Sequence, residues 1–524
     1  MLDAPIANKI QTMNQRVRWR HPLIIERGID QTALVLEEGQ AESPEFSFLV
    51  VGDTGAGSHT DHHPQRRIAE QMLPHHPDCR FLLHTGDVVY QVGSREQYPR
   101  NFIHPYREFL IGGEQPDQIA YDGMTFKLPF LPVPGNHDYY NLPWLYGALL
   151  QIKRPLKWLL GRALESNLGW QGSYTGDIYA RAFLDYLQGL PPSDALVQHL
   201  EQHYTAHIRT GRCLRYQPGR FTRLPNRYYT LRYGGVDFFA LDSSTFNAPS
   251  PLPTDAQGTR CRQMLLAHRR EVEAQEQQVY AEASRLPMQS PDGLERIDDL
   301  QAKIEQLAEI KLDIDKQLQA QDTDEVDFEQ LHWLQTRLIE SWHDPDVRAR
   351  VLYFHHPPYV TETTKWHQGQ TLAVRHHLRW VLDGVAQAVK PLTQGRPLVD
   401  LILNGHAHCL EYLRTGDTGH ADSHLNWIIC GGSGFSLRRQ RADGAELTEV
   451  FPASESSKLC ETRSVAKSQL FVGLSGHRSE RRRPYSFLRI DIKAGTPPKF
   501  RVRPYISERY HQEWHDYALD PLVL

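Results

Sequence analysis

Five short apolar runs constrain this chain more than any other feature, because each one ends in a turn of small and polar residues. Phe46-Ser47-Phe48-Leu49-Val50-Val51 runs into Gly52-Asp53, and Phe81-Leu82-Leu83-His84-Thr85 runs into Gly86-Asp87. Phe130-Leu131-Pro132-Val133-Pro134 runs into Gly135-Asn136. Val351-Leu352-Tyr353-Phe354 leads to His355, and the stretch from Leu398 to Leu403 leads toward His406. Short apolar runs bounded by turn residues read as buried strands. Gln65 to Met72 and Phe328 to Trp342 read as helices between them. A chain of this α/β kind gathers its functional groups in loops at the carboxyl ends of strands, on a rigid sheet.

The 524 residues allow one large elaborated domain or several ordinary ones. A net charge of −5 provides no global field for nucleic acid or an anionic membrane, and no basic stripe is clustered in the sequence. The six cysteines are scattered without a C-x-x-C pair, so they suggest neither a disulfide framework nor a zinc ribbon. Scattered thiols suit a reducing compartment. Met1 to Glu45 carries charges throughout and has no apolar stretch like that of a secretory signal. No uncharged apolar run is long enough for a transmembrane helix. A cytoplasmic location is therefore expected.

The turn residues carry the chemistry. They are Gly52-Asp53-Thr54-Gly55, Gly86-Asp87-Val88-Val89-Tyr90, Gly135-Asn136-His137-Asp138, His355-His356-Pro357-Pro358 and Gly405-His406-Ala407-His408. In this order they resemble the calcineurin-like metallophosphoesterase superfamily. Most of that superfamily reads Asp-x-His in the first motif, where this chain has Gly55, and this chain carries Tyr90 three residues after Asp87. One ligand lost and one gained is the pattern of the purple acid phosphatase branch.

The resemblance implies an α/β fold of metallophosphoesterase type, a four-layer α/β/β/α sandwich. It implies two metal ions, one held by Asp53, Asp87, Tyr90 and His408, the other by Asp87, Asn136, His355 and His406. A phenolate favours Fe(III) at the first position; the second would be divalent Fe, Zn or Mn. His137 would face the substrate as a catalytic residue, with Asp138 either fixing its tautomer or capping the loop. Asn136, His137 and His356 are candidate substrate-binding residues, and His356 is the alternative ligand to His355. The implied reaction is hydrolysis of a phosphate ester by a metal-bound hydroxide. Phosphomonoesters are the first substrate class. A nucleotide, lipid or nucleic-acid diester is the alternative.

The resemblance covers roughly 46–245 and 328–436, leaving 1–45 as an N-terminal extension of a 46–524 domain with two insertions. Residues 142–224 read as a helical lid. Its start, Leu142 to Leu164, also has the composition of a basic amphipathic helix on a membrane, although Pro143 and Pro155 interrupt it. Residues 255–327 read as an antiparallel coiled-coil hairpin. Leu265, Val272, Val279 and Leu286 recur every seven residues, and Leu300, Leu307, Ile314 and Lys311 continue the seam. This hairpin is either solvated and closed on itself or an arm at 260–320 for oligomerisation or a protein partner. In the latter case the chain would be an interaction protein. Arg438 to Arg483 reads as a polar surface loop, and Asp61-His62-His63 as either a substrate mouth or a solvated loop.

Overall fold

The computed structural model describes residues 2–37, 43–55, 62–141, 172–191, 194–283, 291–452, 460–477 and 480–524. Two mixed sheets carry the architecture. The smaller contains β2 (Phe46–Val51), β3 (Cys79–His84) and β4 (Phe130–Pro132), paired in parallel. β15 (Arg483–Ile492) flanks β2 in antiparallel fashion, followed by β16 (Phe500–Tyr510) and β17 (Glu513–Ala518). In the larger sheet β8 (Val236–Ala240), β9 (Ala349–Tyr353), β10 (Leu401–Asn404) and β12 (Asn426–Cys430) form a parallel centre. Parallel neighbours need crossover connections. Helix Pro64–Met72 joins β2 to β3, Phe328–His343 precedes β9, and Gly369–Thr393 joins β9 to β10.

The strands β2, β8, β9 and β10 are buried along their whole length, as both-face burial requires of near-continuous apolar runs. Successive side chains alternate between two cores. Phe238, Val351 and Leu403 point toward the smaller sheet, where Phe48 meets Phe238 edge-on at 5.5 Å. Phe239, Leu352 and Ile402 point the other way, onto Leu334, Leu338, Leu378 and Val381 of the two long helices. Helix Pro64–Met72 covers the outer face of the smaller sheet through β15.

Four expectations change. Ile29–Leu36, inside the segment set apart as an N-terminal extension, is β1, a strand of the larger sheet pairing in parallel with β7 (Tyr229–Tyr233) and β6 (Gly211–Tyr216). Residues 172–224 are not a purely helical lid. They contain helices Asp177–Phe183 and Asp194–His203, then β5 (Ala206–Ile208) and β6, which end the larger sheet. The alternative readings of Leu142 to Leu164 fall outside the described residues. The polar stretch after Arg438 forms β13 (Glu446–Pro452) and β14 (Cys460–Val472) at the other end of that sheet, where a strand needs only one apolar face.

The fourth change concerns the hairpin. Its helices, Ala256–Ala283 and Pro291–Gln319, pack against each other with Val272, Leu300, Leu307 and Ile314 buried. Arg269–Asp315 (2.6 Å) and Lys311–Glu276 (2.7 Å) pair across them. The second helix is not solvated on its other side. Arg438 Nη1 donates to Ala302 O (3.3 Å), Asp299 pairs with Arg483 (2.8 Å), and Lys316 pairs with Asp3 (2.5 Å). The second helix is therefore docked on the sheet domain from Asp299 to Lys316.

Candidate metal centre

The motif residues converge because five strands end at one edge of the paired sheets. Three of the turns require unusual backbone, the His406-Ala407-His408 turn among them with His406 at φ 67° and His408 at φ 25°. Asp53 (φ 54°) and Asp87 (φ 53°) are left-handed, a conformation that is costly for a residue with a side chain and that recurs at functional sites. Gly135 must be glycine, since a Cβ there would lie 2.1 Å from Asp87 Oδ1. Gly55 has a similar reason: a Cβ would sit 2.4 Å from Val88 O, in the turn that delivers Tyr90, and Tyr90 N donates to Gly55 O (3.0 Å). The side chain missing at position 55 is what allows the Tyr90 turn to close over it.

Tyr90 Oη lies 2.7 Å from Asp53 Oδ1, 2.7 Å from Asp87 Oδ2 and 3.1 Å from His408 Nε2. The ring is stacked on Phe435 at 3.8 Å. On the other side, His355 Nε2 lies 3.1 Å from Asp87 Oδ2 and 2.9 Å from Asn136 Oδ1. The His355 and His406 rings are 4.9 Å apart. Asp87 Oδ2 therefore touches both groups, as a bridging carboxylate would. All these side chains are buried. Asp53, Asp87 and His355 form one cluster able to hold a metal, and His355, His356 and His406 a second.

The donor set fits cations. One phenolic proton faces two carboxylates and can satisfy only one. Burial, with the neighbouring Asp87 charge adding to it, pushes Asp53 up to about 7. Burial acts to raise Asp87 too, but His355 and His137 overcome it and hold the carboxyl below its usual range. Burial opposes charge on His355, yet Asp87 and Asp53 push its imidazole up to about 9. Buried anions thus draw positive charge between them, and hard oxygen donors with imidazoles suit first-row transition metals.

His137 donates from Nδ1 to Gln91 O (2.5 Å), and its backbone N donates to Asp87 Oδ1 (2.8 Å). That leaves Nε2 free for the site. Burial acts to lower the His137 pKa, while Asp87 and Glu309 raise it above the usual value. Asp138 does not hold the His137 ring. Its Oδ2 accepts from the backbone N–H groups of Gly135 (2.9 Å), Asp87 (3.1 Å) and Val88 (3.4 Å), so it ties two motif turns together. It is a positioning residue of the loops, and Gln91 O sets the tautomer.

His356 is buried behind His406, 4.5 Å between ring centres. Its ring nitrogens meet Ser243 Oγ (2.8 Å) and Asn247 Nδ2 (3.3 Å), which leaves none for substrate in this arrangement. His62 packs near Trp514 of β17, whereas Asp61 lies outside the described residues.

Sequence reasoning found the second hairpin helix but missed that its polar face reaches the site. Glu305, Glu309, Asp313 and Lys316 recur at three- and four-residue spacing, opposite the apolar seam. This polar stripe faces the site. Glu309 Oε1 lies 3.7 Å from His137 Nε2, and Glu309 Oε2 lies 3.4 Å from Lys365 Nζ. A second polar face on a hairpin already closed by its seam was the available signal. Solvated charges produce the same pattern, so it does not discriminate.

Residues 46–210 match the calcineurin-like phosphoesterase family. That span carries Asp53, Asp87, Tyr90, Asn136 and His137, while His355, His406 and His408 lie beyond it. No curated protein matches the chain. Among solved structures it is similar to the purple acid phosphatase PPD1 from yellow lupin (Lupinus luteus) seeds, at 10% identity and a TM-score of 0.40. The alignment covers 92% of this chain and 54% of the lupin chain, so this chain spans about half of that protein's length. It is also similar to GAP50, the anchor in the inner membrane complex of Plasmodium, at 10% identity, TM-score 0.34, and 91% and 89% coverage of the two chains. For PhoD the values are 12% identity, TM-score 0.36, and 92% and 69% coverage.

Proposed function

Because the chain carries a calcineurin-like phosphoesterase domain, a hydrolase family, we propose that it hydrolyses phosphate monoesters at a dinuclear metal centre of the purple acid phosphatase type. The four-layer α/β/β/α arrangement would place that centre at the strand ends. Asp53, Asp87, Tyr90 and His408 would hold an Fe(III) ion. Asp87, Asn136, His355 and His406 would hold a divalent Fe, Zn or Mn. Such a pair supplies an activated water and neutralises phosphoryl charge. The observation that supports this reading most is the position of Asp87, in contact with Tyr90 on one side and His355 on the other.

The chain's own residues account for the remaining requirements. His137 Nδ1–H donates to Gln91 O, which leaves Nε2 facing the site, and in the protonated imidazole the Nε2 proton is the one presented to the leaving oxygen. Asp87 Oδ1 fixes the same residue through its backbone N–H. Asp138 holds the Gly135 and Asp87 turns in one register. Burial of all these groups keeps water from competing for their hydrogen bonds.

Hydrolysis of an aryl phosphate monoester is compared with that of the matching diester, using iron-loaded protein and Asp87→Ala as the blank. Faster monoester turnover is expected. Dominant diester turnover would move the enzyme to the phosphodiesterase class, and activity on neither would sink the hydrolytic reading in favour of an interaction protein.

Tyr90→Phe tests the phenolate separately. The ferric-loaded protein is expected to absorb visible light through phenolate-to-iron charge transfer, and the variant to lose that band. A variant that keeps its colour would remove Tyr90 from the ligand set.

A further inference from the structure

Glu309 occupies an unusual position for a carboxylate on an inserted hairpin. Its carboxylate lies among two cations and an imidazole: His137 Nε2 at 3.7 Å, Lys365 Nζ at 3.4 Å and Arg438 Nη2 at 4.0 Å. Its side chain is only 10% exposed, and those of Lys365 and Arg438 are 3% and 6% exposed. Charged groups this deeply buried are normally closely paired, because desolvation of each ion is costly. Charge-assisted hydrogen bonds close to about 2.7–2.9 Å. None of the three contacts does. Arg438 Nη2 is buried with no hydrogen-bond partner. The cage is wider than the group inside it.

The cage also adjoins the metal ligands. The Lys365 charge bears on both His406 and His408, and the Arg438 charge bears on His408. The Arg438 backbone N donates to His408 O (3.0 Å), so the loop that carries Arg438 is tied directly to the His408 turn. A group held by Lys365, Arg438 and His137 would lie against the face where substrate phosphorus must arrive. A tetrahedral oxyanion has more oxygens than a carboxylate, and they spread in three dimensions. It could meet Lys365, Arg438 and His137 together, where Glu309 reaches each of them loosely.

We propose that Lys365, Arg438 and His137 form a phosphoryl-binding subsite beside the metal centre, and that Glu309 of the hairpin occupies it until a phosphate-bearing ligand displaces it. The subsite rests on the hydrolytic reading above for its place in the reaction. The hairpin then tunes affinity: a ligand binds with its intrinsic strength reduced by the fraction of molecules whose cage is free. Release of product is helped by the same carboxylate returning.

The test is binding of inorganic phosphate to the metal-loaded full-length protein by titration calorimetry, with aryl phosphate turnover followed in parallel. Glu309→Gln keeps the shape and removes the competing charge, and is expected to tighten phosphate binding by roughly tenfold. Lys365→Met is expected to weaken it, alone and in the Glu309→Gln background. The opposite signs are the discriminating result, because removing either partner of a purely structural ion pair would shift binding in the same direction. Unchanged or weaker phosphate binding by Glu309→Gln would overturn the proposal. Turnover that persists alongside that result would leave the hydrolytic reading standing. Tighter binding with no turnover by any variant would overturn the hydrolytic reading and keep the subsite.

Discussion

Asp87→Ala is expected to reduce phosphate-ester hydrolysis by about a hundred- to a thousandfold, the scale seen when one preorganised electrostatic group is removed from a site. Asp87 has three contacts that no neighbour duplicates. Oδ2 meets Tyr90 Oη at 2.7 Å and His355 Nε2 at 3.1 Å, and Oδ1 accepts the His137 N–H at 2.8 Å. Alanine removes the carboxylate proposed to bridge the two ions and frees the turn that carries His137. Asp87→Asn separates these roles, because an amide oxygen can still accept from His137 but brings no negative charge. Metal content per chain, turnover and circular dichroism measured together settle the matter. Loss of metal and activity in both variants, with a native spectrum, is the expected outcome. Wild-type turnover by Asp87→Ala would place the chemistry elsewhere.

Arg227→Met is expected to destabilise the protein by about 3–5 kcal/mol, the cost of leaving buried charge without its partner. The Arg227 side chain is buried, with Nη2 2.7 Å from Asp327 Oδ2 and Nη1 3.5 Å from Asp242 Oδ2. Asp242 Oδ2 also accepts from Tyr139 OH at 2.6 Å. Asp327 N-caps helix Phe328–His343, its carboxylate accepting from Gln330 N at 3.2 Å. One guanidinium thus compensates two buried carboxylates that join the His137 turn, the end of β8 and the start of a core helix. A large fall in the thermal unfolding midpoint is expected. Adding Asp327→Asn should recover part of it by deleting one uncompensated anion. A midpoint within a degree or two of wild type would show that the network contributes little.

The strands and turns of the centre were legible because local rules decide them. An apolar run longer than a turn needs a core, and β2, β3, β4, β9 and β10 all lie where such runs lie. Gly-Asp and Gly-Asn turns at their ends mark backbone that only special residues tolerate. The pairing of Gly55 with Tyr90 was readable as a pattern, but its physical cause was not. Position 55 is empty because the Val88 carbonyl is there, a contact between separate loops.

Other features depend on contacts between segments distant in sequence. The role of Asp138 is an example: its neighbour in sequence is His137, yet its carboxylate faces three backbone N–H groups. β1 and β6 were missed because polar and charged residues, such as Asp30, Gln31, Arg212 and Arg215, break up their apolar pattern, so neither reads as a continuous apolar run. The hairpin seam at Leu300, Leu307 and Ile314 was visible through its seven-residue period. Where its other face would rest was not. A row of charges on a helix has the same sequence whether it faces water or a buried ring of cations. The sequence by itself determined which residues could hold metal and which strands would carry them, because side-chain chemistry and strand periodicity are local. Only the tertiary structure decided that Glu309 meets His137, Lys365 and Arg438, because that depends on how the hairpin docks on the sheets.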